Sequence, residues 1–199
     1  MLTDTLPLHR PIAFLDLETT GISTAHSRIV EIALFLVHPD GREEQNVFRV
    51  NPGIPIPADA VRVHGISDRD VIGHPQFSAL APTVEALLRG CDLAGFNIIR
   101  YDLPILTKEF QRSGRTFPLA GRALIDVMTL FHQRDGAQLQ KRNLAAAVRH
   151  YCGREHVGAH SALADARATA EVLRRMLQRH RDLPRDVGLL HAYCRAARG

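Results

Sequence analysis

The chain has 199 residues, of which 45% are hydrophobic and 23% are charged, and its formal net charge is +4. This length and balance are typical of one soluble globular domain, and they exclude a disordered or low-complexity protein. No apolar run reaches the roughly 18 residues that cross a bilayer, and residues 1–11 lack a secretion signal. We therefore expect a cytoplasmic protein that contacts no membrane.

Cysteine usage and charge set weaker limits on function. Three cysteines at wide spacing argue against a disulfide framework. Cys152 with His156, and His191 with Cys194, are possible halves of a zinc site, but neither pair has a partner at zinc-finger spacing, and such cysteines usually fill a core. The basic balance favours a polyanionic partner, although many basic proteins bind no nucleic acid.

The first half of the chain predicts three strands joined as an antiparallel meander. Residues 11–18 alternate as a strand does, and residues 28–38 form a second apolar run that ends at the Pro-Asp-Gly turn of residues 39–41. Residues 45–50 complete the meander. Residues 51–75 then resemble a long functional loop with short helical pieces.

The rest of the chain alternates between helices and short strands. The predicted helices are 77–88, 98–113, 143–152, 161–180 and 187–197, and the predicted strands are 92–97 and 122–126. This order predicts an α/β domain with a mixed five-stranded sheet, three strands antiparallel and the later ones parallel, flanked by helices. No domain boundary is visible, so we expect a single domain over 1–199, with a core of about 10–180 and a helical extension over 181–199.

The strongest motif is Asp16-Leu17-Glu18, near the end of the first strand. Alternate residues of a strand point to the same side, so the two carboxylates share a face. Such a pair is costly in an apolar strand unless a cation neutralises it, and hard divalent cations prefer oxygen ligands. An edge strand with two solvated acids explains an isolated Asp-x-Glu better, but the apolar flanks and the abrupt Thr19-Thr20-Gly21 exit favour the metal site.

A second motif spans residues 95–104. A strand delivers Asn97, and Asp102 follows in the first turns of the next helix. Ligand sites gather near the ends of strands in open α/β sheets, which makes Asp102 a candidate ligand. Taken alone, Asp102 is better explained as a first-turn acid that favours the helix dipole.

A third motif spans residues 160–166. Ser161 is a plausible N-cap, which leaves His160 in the preceding loop and Asp165 inside the helix. Histidine titrates near neutral pH and can take a proton from water beside a metal site. The simpler alternative is a surface histidine beside a solvated acid, in a chain with 11 histidines.

The three motifs, in this order over residues 14–166, resemble the Exo I, Exo II and Exo III motifs of the DEDDh exonucleases. This superfamily includes the proofreading epsilon subunit of bacterial DNA polymerase III, RNase T and oligoribonuclease. The resemblance implies a ribonuclease H-like fold, and it implies two Mg²⁺ or Mn²⁺ ions held by Asp16, Glu18, Asp102 and Asp165. His160 is similar to the family's general base, and Ser161 stands where the sister DEDDy group has tyrosine.

The resemblance also implies substrate contacts. Residues 63–66 resemble the loop that packs against the terminal nucleotide. Apart from the resemblance, the positive charge of the pair at 141–142 makes it a candidate for contact with the phosphate backbone. Asp126 resembles a recurrent family acid, which we interpret as structural support rather than a metal ligand. The candidate substrate contacts are Thr19, Thr20, His64, Ile66, Asn97, Lys141 and Arg142.

The activity implied by the resemblance is 3′→5′ exonucleolytic hydrolysis that releases nucleoside 5′-monophosphates. As the substrate, DNA with single-stranded or frayed 3′ ends is favoured modestly over RNA, because residues 15–21 most resemble the proofreading branch. The resemblance also implies a role in proofreading or repair. An exoribonuclease of the same superfamily stays open as an alternative, as do a catalytically inactive nucleic-acid-binding module and a DNA polymerase as partner.

Overall fold

The sheet of the computed structural model, which describes residues 1–136, 139–158 and 161–196, has five strands in the order β3-β2-β1-β4-β5. β1, β2 and β3 pair antiparallel, whereas β4 runs parallel to β1 and β5 runs parallel to β4. This topology confirms the predicted mixed sheet. The strands are β1 (Ile12–Thr19), β2 (Ile29–Val37), β3 (Glu43–Arg49), β4 (Asp92–Gly95) and β5 (Leu124–Asp126).

The helices of the described ranges are α1 (Ala58–His64), α2 (Asp68–Val71), α3 (Phe77–Leu88), α4 (Asp102–Arg112), α5 (Val127–Arg134), α6 (Leu144–Cys152), α7 (Ala162–Arg179) and α8 (Val187–Ala196). α3, α6, α7 and α8 lie where helices are predicted, and α1 and α2 are the short helical pieces of the predicted loop. No helix in these ranges has the length and apolar composition needed to span a membrane.

Two predictions of local structure are wrong. The helix predicted from residue 98 begins only at Asp102, because residues 97–101 form a turn in which Asn97 has a φ of 68°. The helix α5 was not predicted. It follows β5 directly, because the Asp126 side chain accepts a hydrogen bond from Thr129 N at 3.3 Å and so caps the new helix where the strand ends.

Each side of β1 packs against a separate hydrophobic cluster. Ile12 and Phe14 pack with buried residues of α5, α6, α7 and α8. Ala13, Leu15 and Leu17 pack with α3 and α4 on the opposite face. The predicted alternation along this strand is therefore confirmed, and Asp16 and Glu18 project on the side where α7 lies.

Gly95 allows the end of β4 to lie close to β1. An ideal Cβ at this position would lie 2.8 Å from Leu15 O and 2.8 Å from the Cβ of Ile98, closer than side chains tolerate. The absence of a side chain therefore brings the residues that follow β4 beside the carboxyl end of β1.

A buried carboxylate ties α5 to α6 and to the end of α7. Asp135 Oδ2 lies 3.1 Å from His150 Nε2 and 3.2 Å from His180 Nε2, and it accepts a hydrogen bond from the hydroxyl of Tyr151. These contacts join the C-terminal ends of the three helices, far from the carboxyl end of β1.

Candidate metal centre

Three of the predicted metal ligands meet at the carboxyl end of β1. One oxygen each of Asp16, Glu18 and Asp165 lies within 4.8 Å of the others. Asp16 and Glu18 project from one face of β1, and Asp165 faces them from the first turn of α7, which packs on β1 and β2. Glu18 is 8% exposed and the Asp165 side chain 17%.

The fourth predicted ligand, Asp102, is fixed directly to β1. It is the first residue of α4, and its Oδ1 accepts a hydrogen bond from Leu17 N at 3.1 Å. Leu17 lies between Asp16 and Glu18, so the structure brings the four predicted carboxylates to one place. The predicted base, His160, lies outside the described residues.

Mutual repulsion and burial disfavour the charged form of this cluster. Burial raises the pKa of Asp16 well above its usual value, and the charges of the neighbouring carboxylates raise it further. Burial also raises the pKa of Glu18 to about 8, again helped by nearby carboxylates. Burial raises the pKa of Asp102 to about 8 although backbone hydrogen bonds oppose the shift.

This donor set fits divalent cations. Burial disfavours the charged forms of Asp16, Glu18 and Asp102, and positive charge placed among these carboxylates would offset that cost. No arginine or lysine in the described ranges pairs with Asp16, Glu18, Asp102 or Asp165. Oxygen donors alone are the ligands that Mg²⁺ and Mn²⁺ prefer, so the residues present fit those ions.

A fifth acid, Glu31, lies beside the cluster and was not predicted. It is directly opposite Glu18 in the register of β1 and β2, and its Oε2 accepts a hydrogen bond from Arg49 at 2.8 Å. Glu31 also contributes to the raised pKa of Asp16 and of Glu18. It is the single polar residue of β2, and a lone acid inside an apolar strand was a signal that the sequence offered.

The threonines that follow the carboxylate pair hold the exit from β1. Thr19 Oγ1 donates a hydrogen bond to Gly21 O at 2.8 Å, and Thr20 Oγ1 accepts one from Arg28 N at 3.0 Å. The hydroxyl of Tyr101, a residue not predicted to matter, donates to the same Gly21 carbonyl at 2.8 Å. Both threonines are buried, so their hydroxyls shape this turn, and substrate contact by Thr19 and Thr20 stays a prediction.

The end of α1 docks against this exit. His64 Nδ1 accepts a hydrogen bond from Ile66 N at 3.0 Å, which leaves Nε2 to donate to Thr19 O at 3.2 Å. Ile66 is 5% exposed and packs in a small cluster with residues of α1, α2 and β2. His64 therefore lies beside the carboxylates, and substrate contact by His64 and Ile66 stays a prediction.

Asn97 and Asp126 organise the turn before α4. Asn97 N donates to Asp126 Oδ1 at 3.1 Å, and Ile99 N lies 3.4 Å from Asp126 Oδ2. Asp126 is 1% exposed, and these contacts agree with its interpretation as structural support. The side-chain oxygen of Asn97 is buried and has no hydrogen-bond partner among the described residues.

The last two predicted substrate contacts are the basic pair before α6. Lys141 and Arg142 are exposed and precede α6. No hydrogen bond or ion pair within the described ranges joins them to the four carboxylates. Their contact with a phosphate backbone stays a prediction.

One further side chain touches the cluster. His156 lies in the loop before α7, and its Nε2 is 2.5 Å from Asp165 Oδ1. The sequence indicated His156 only as half of a weak zinc pair, because its closeness to Asp165 depends on how the loop returns to α7.

Comparison with known sequences identifies relatives among nucleases. An exonuclease family profile matches residues 13–173. The chain is 31% identical over 172 residues to Protein NEN1 of Arabidopsis thaliana, an alignment that covers 82% of this chain and 35% of NEN1. It is 31% identical over 169 residues to the DNA polymerase III subunit epsilon-like protein of Rhodobacter capsulatus, covering 81% of this chain and 23% of that protein. The chain thus spans about a third or less of these relatives.

Solved structures show the same fold. One match is exonuclease I of E. coli in a zinc-bound complex with single-stranded DNA. The superposition covers 88% of this chain and 42% of the exonuclease I chain, with a TM-score of 0.76 and 20% sequence identity. The same enzyme with a dT13 oligonucleotide matches 83% of this chain and 40% of its own, with a TM-score of 0.71 and 20% identity. These likenesses confirm the predicted ribonuclease H-like fold.

The exonuclease profile covers most of the chain and includes all three predicted motifs. Three carboxylates of those motifs lie within 4.8 Å of one another, and Asp102 is hydrogen-bonded to the backbone of β1 beside them. This chain belongs to the exonuclease family, within the DEDDh, or DnaQ-like, superfamily.

Proposed function

We propose that this chain is a metal-dependent 3′→5′ exonuclease that hydrolyses the terminal phosphodiester bond of a nucleic acid and releases nucleoside 5′-monophosphates. The observation that carries the proposal is the convergence of Asp16, Glu18 and Asp165 within 4.8 Å, beside the anchored Asp102. Membership of the exonuclease family supports the reaction class.

The four carboxylates would hold two divalent cations, Mg²⁺ or Mn²⁺. When bound, such ions lower the pKa of the attacking water and stabilise charge on the phosphoryl and leaving oxygens. Asp16, flanked by the other acids, is our candidate to contact both ions. His160 would take the proton from the attacking water, and His64 and Asn97 would contact the terminal nucleotide.

Replacing His160 with alanine is expected to lower kcat by about 100-fold, because the reaction loses its general base. The affinity for Mn²⁺, measured by calorimetry, should stay unchanged, since the four carboxylates are intact. His9→Ala, at an exposed histidine near the N-terminus, is the matched control and should keep full activity. A His160→Ala protein with normal rates from pH 6 to pH 9 would show that another group is the base.

The substrate is DNA with single-stranded or frayed 3′ ends. The epsilon-like relative and the DNA complexes of exonuclease I support DNA over RNA, and the relative's name supports a role in proofreading or repair beside a polymerase. Phosphate contacts come from Lys141 and Arg142, and contacts near the terminal nucleotide come from Thr19, Thr20, His64, Ile66 and Asn97.

The test compares 3′-labelled oligonucleotides of one sequence, made with deoxyribose or with ribose. We expect Mg²⁺ or Mn²⁺ to support release of labelled mononucleotide, faster from DNA than from RNA, and EDTA to stop it. An oligonucleotide with a blocked 3′ end serves as control. Faster release from RNA would favour the exoribonuclease. Binding that survives EDTA, with no release in Mn²⁺, would favour the inactive binding module.

We also propose that residues 1–199 form one domain, with a core of about 10–180 and a helical extension over 181–199. The packing of α8 supports this arrangement. Leu190 and Cys194 are fully buried in the cluster that contains α7, and α8 contacts β5.

A further inference from the structure

His156 has a buried side chain, and one polar contact of its ring is seen among the described residues. Its side chain is 3% exposed, and its Nε2 lies 2.5 Å from Asp165 Oδ1. Its other nitrogen, Nδ1, is buried and has no hydrogen-bond partner in the part of the chain that the structure describes. Burial of a nitrogen without a partner is unfavourable, so stability alone does not account for a histidine at this position.

The contacts define the tautomer of this ring. A proton on Nε2 lets that nitrogen donate to the carboxylate of Asp165 and leaves Nδ1 as an acceptor without a partner. The opposite tautomer would place two acceptors 2.5 Å apart and would bury an unpaired N–H. The neutral ring is therefore a hydrogen-bond donor directed at one oxygen of Asp165.

The carboxylate of Asp165 is held differently from that of Asp102. Within the described ranges, the only hydrogen bond to that carboxylate comes from His156. Asp102, by contrast, is fixed by the backbone N–H of Leu17. Among the hydrogen bonds of the described residues, the one from the imidazole is therefore the one that restricts rotation of the Asp165 carboxylate.

We propose that His156 is a positioning residue, which orients Asp165 for metal binding by holding one carboxylate oxygen and leaving the other for a cation. The inference rests on the proposed function, because it takes Asp165 as a ligand. Hydrogen bonds to ligating groups fix the orientation of those groups, and their loss typically weakens metal affinity by about 10- to 100-fold. His156 thereby acts through Asp165, separately from proton removal by His160.

Two amide substitutions that differ in reach test this role. The amide nitrogen of glutamine reaches about as far as imidazole Nε2, whereas that of asparagine reaches only to the position of Nδ1. Calorimetric titration of the full chain with Mn²⁺ should show affinity about 10- to 100-fold weaker for His156→Asn. His156→Gln should bind within about threefold of the parent chain, because it restores the donor.

A matched control is His180→Asn. His180 also contacts a buried carboxylate, Asp135, but it follows Asp165 by 15 residues, or about 22 Å along the helix. This variant should bind Mn²⁺ as the parent does. Melting in EDTA verifies the fold of each variant.

The outcomes separate the two proposals. If the parent chain binds Mn²⁺ and His156→Asn binds it equally well or more tightly, His156 does not position Asp165, and the proposed function stands. If the parent chain binds no Mn²⁺, both proposals fail. If His156→Asn does not fold, the test is the chemical shift of the His156 Nε2–H proton in the parent chain. This resonance should shift when Mg²⁺ is added, and the absence of a shift would overturn the inference.

Discussion

Replacing Asp16 with asparagine is expected to abolish nucleotide release and, at the same time, to stabilise the metal-free protein. Asparagine keeps the shape of the side chain but removes a buried carboxyl group whose pKa is raised by burial and by the charges of the neighbouring carboxylates. Metal ions contribute several kcal/mol of transition-state stabilisation, so losing a shared ligand should lower kcat by about 10³-fold or more. The assay is release of labelled nucleotide in saturating Mn²⁺, with thermal melting in EDTA.

A second buried acid provides the control for this experiment. Asp92, at the start of β4, is 4% exposed and receives hydrogen bonds from Arg10 at 2.9 Å and from Ala123 N at 2.6 Å. It pairs with Ile12, about 13 Å along β1 from Asp16. Asp92→Asn should therefore destabilise the fold and keep activity at permissive temperature. An Asp16→Asn protein that turns over normally, or that melts below the parent in EDTA, would contradict the metal centre.

The metal-free protein is expected to lose stability as the pH rises from about 4.5 to about 8. The pKa of Glu18 rises from 4.5 to about 8, and that of Asp102 from 3.8 to about 8, chiefly through burial. The folded chain thus holds protons that the unfolded chain releases. Their stabilising effect is complete below the ordinary pKa values and is lost as the pH approaches 8. Each such proton changes the free energy of unfolding by about 1.4 kcal/mol per pH unit.

Urea denaturation between pH 5 and pH 8.5 measures this effect. In EDTA the unfolding free energy should fall across this range, whereas saturating Mg²⁺ should remove most of the decline, because cations bind the deprotonated acids. In Asp16→Asn the decline should be shallower, since one titrating group is gone. An unfolding free energy of the metal-free protein that increased from pH 5 to pH 8 would mean that folding does not raise the pKa values of these acids.

The two faces of β1 could be predicted from its sequence, because the two-residue alternation of side chains along a strand determines which residues share a face. Alternation of apolar residues over Ile12–Leu17 predicted the two faces, and the same alternation predicted that Asp16 and Glu18 share one of them. The start of α4 could not be predicted in this way. Apolar residues 98 and 99 continue the helical pattern, but hydrogen bonds to Asp126 hold the turn, and Asp126 lies 29 positions after Asn97.

The four proposed metal ligands could be predicted from the sequence, whereas the residues that contact them could not. The four acids lie in motifs that carry their own spacing. Tyr101 and His156 act through contacts that form only after folding, with Gly21 and Asp165 respectively. Such contacts depend on loop paths, which short-range patterns do not determine.

The opposite placement of α4 and α7 has a mechanical consequence. Asp102 belongs to the helix that packs on one face of β1, and Asp165 to the helix that packs on the other. An ion held by both of these acids would cross-link the two helical layers through the end of the strand. Its binding would then depend on the alignment of the two layers, and a small sliding of either layer would change the spacing of the acids without replacing any of them.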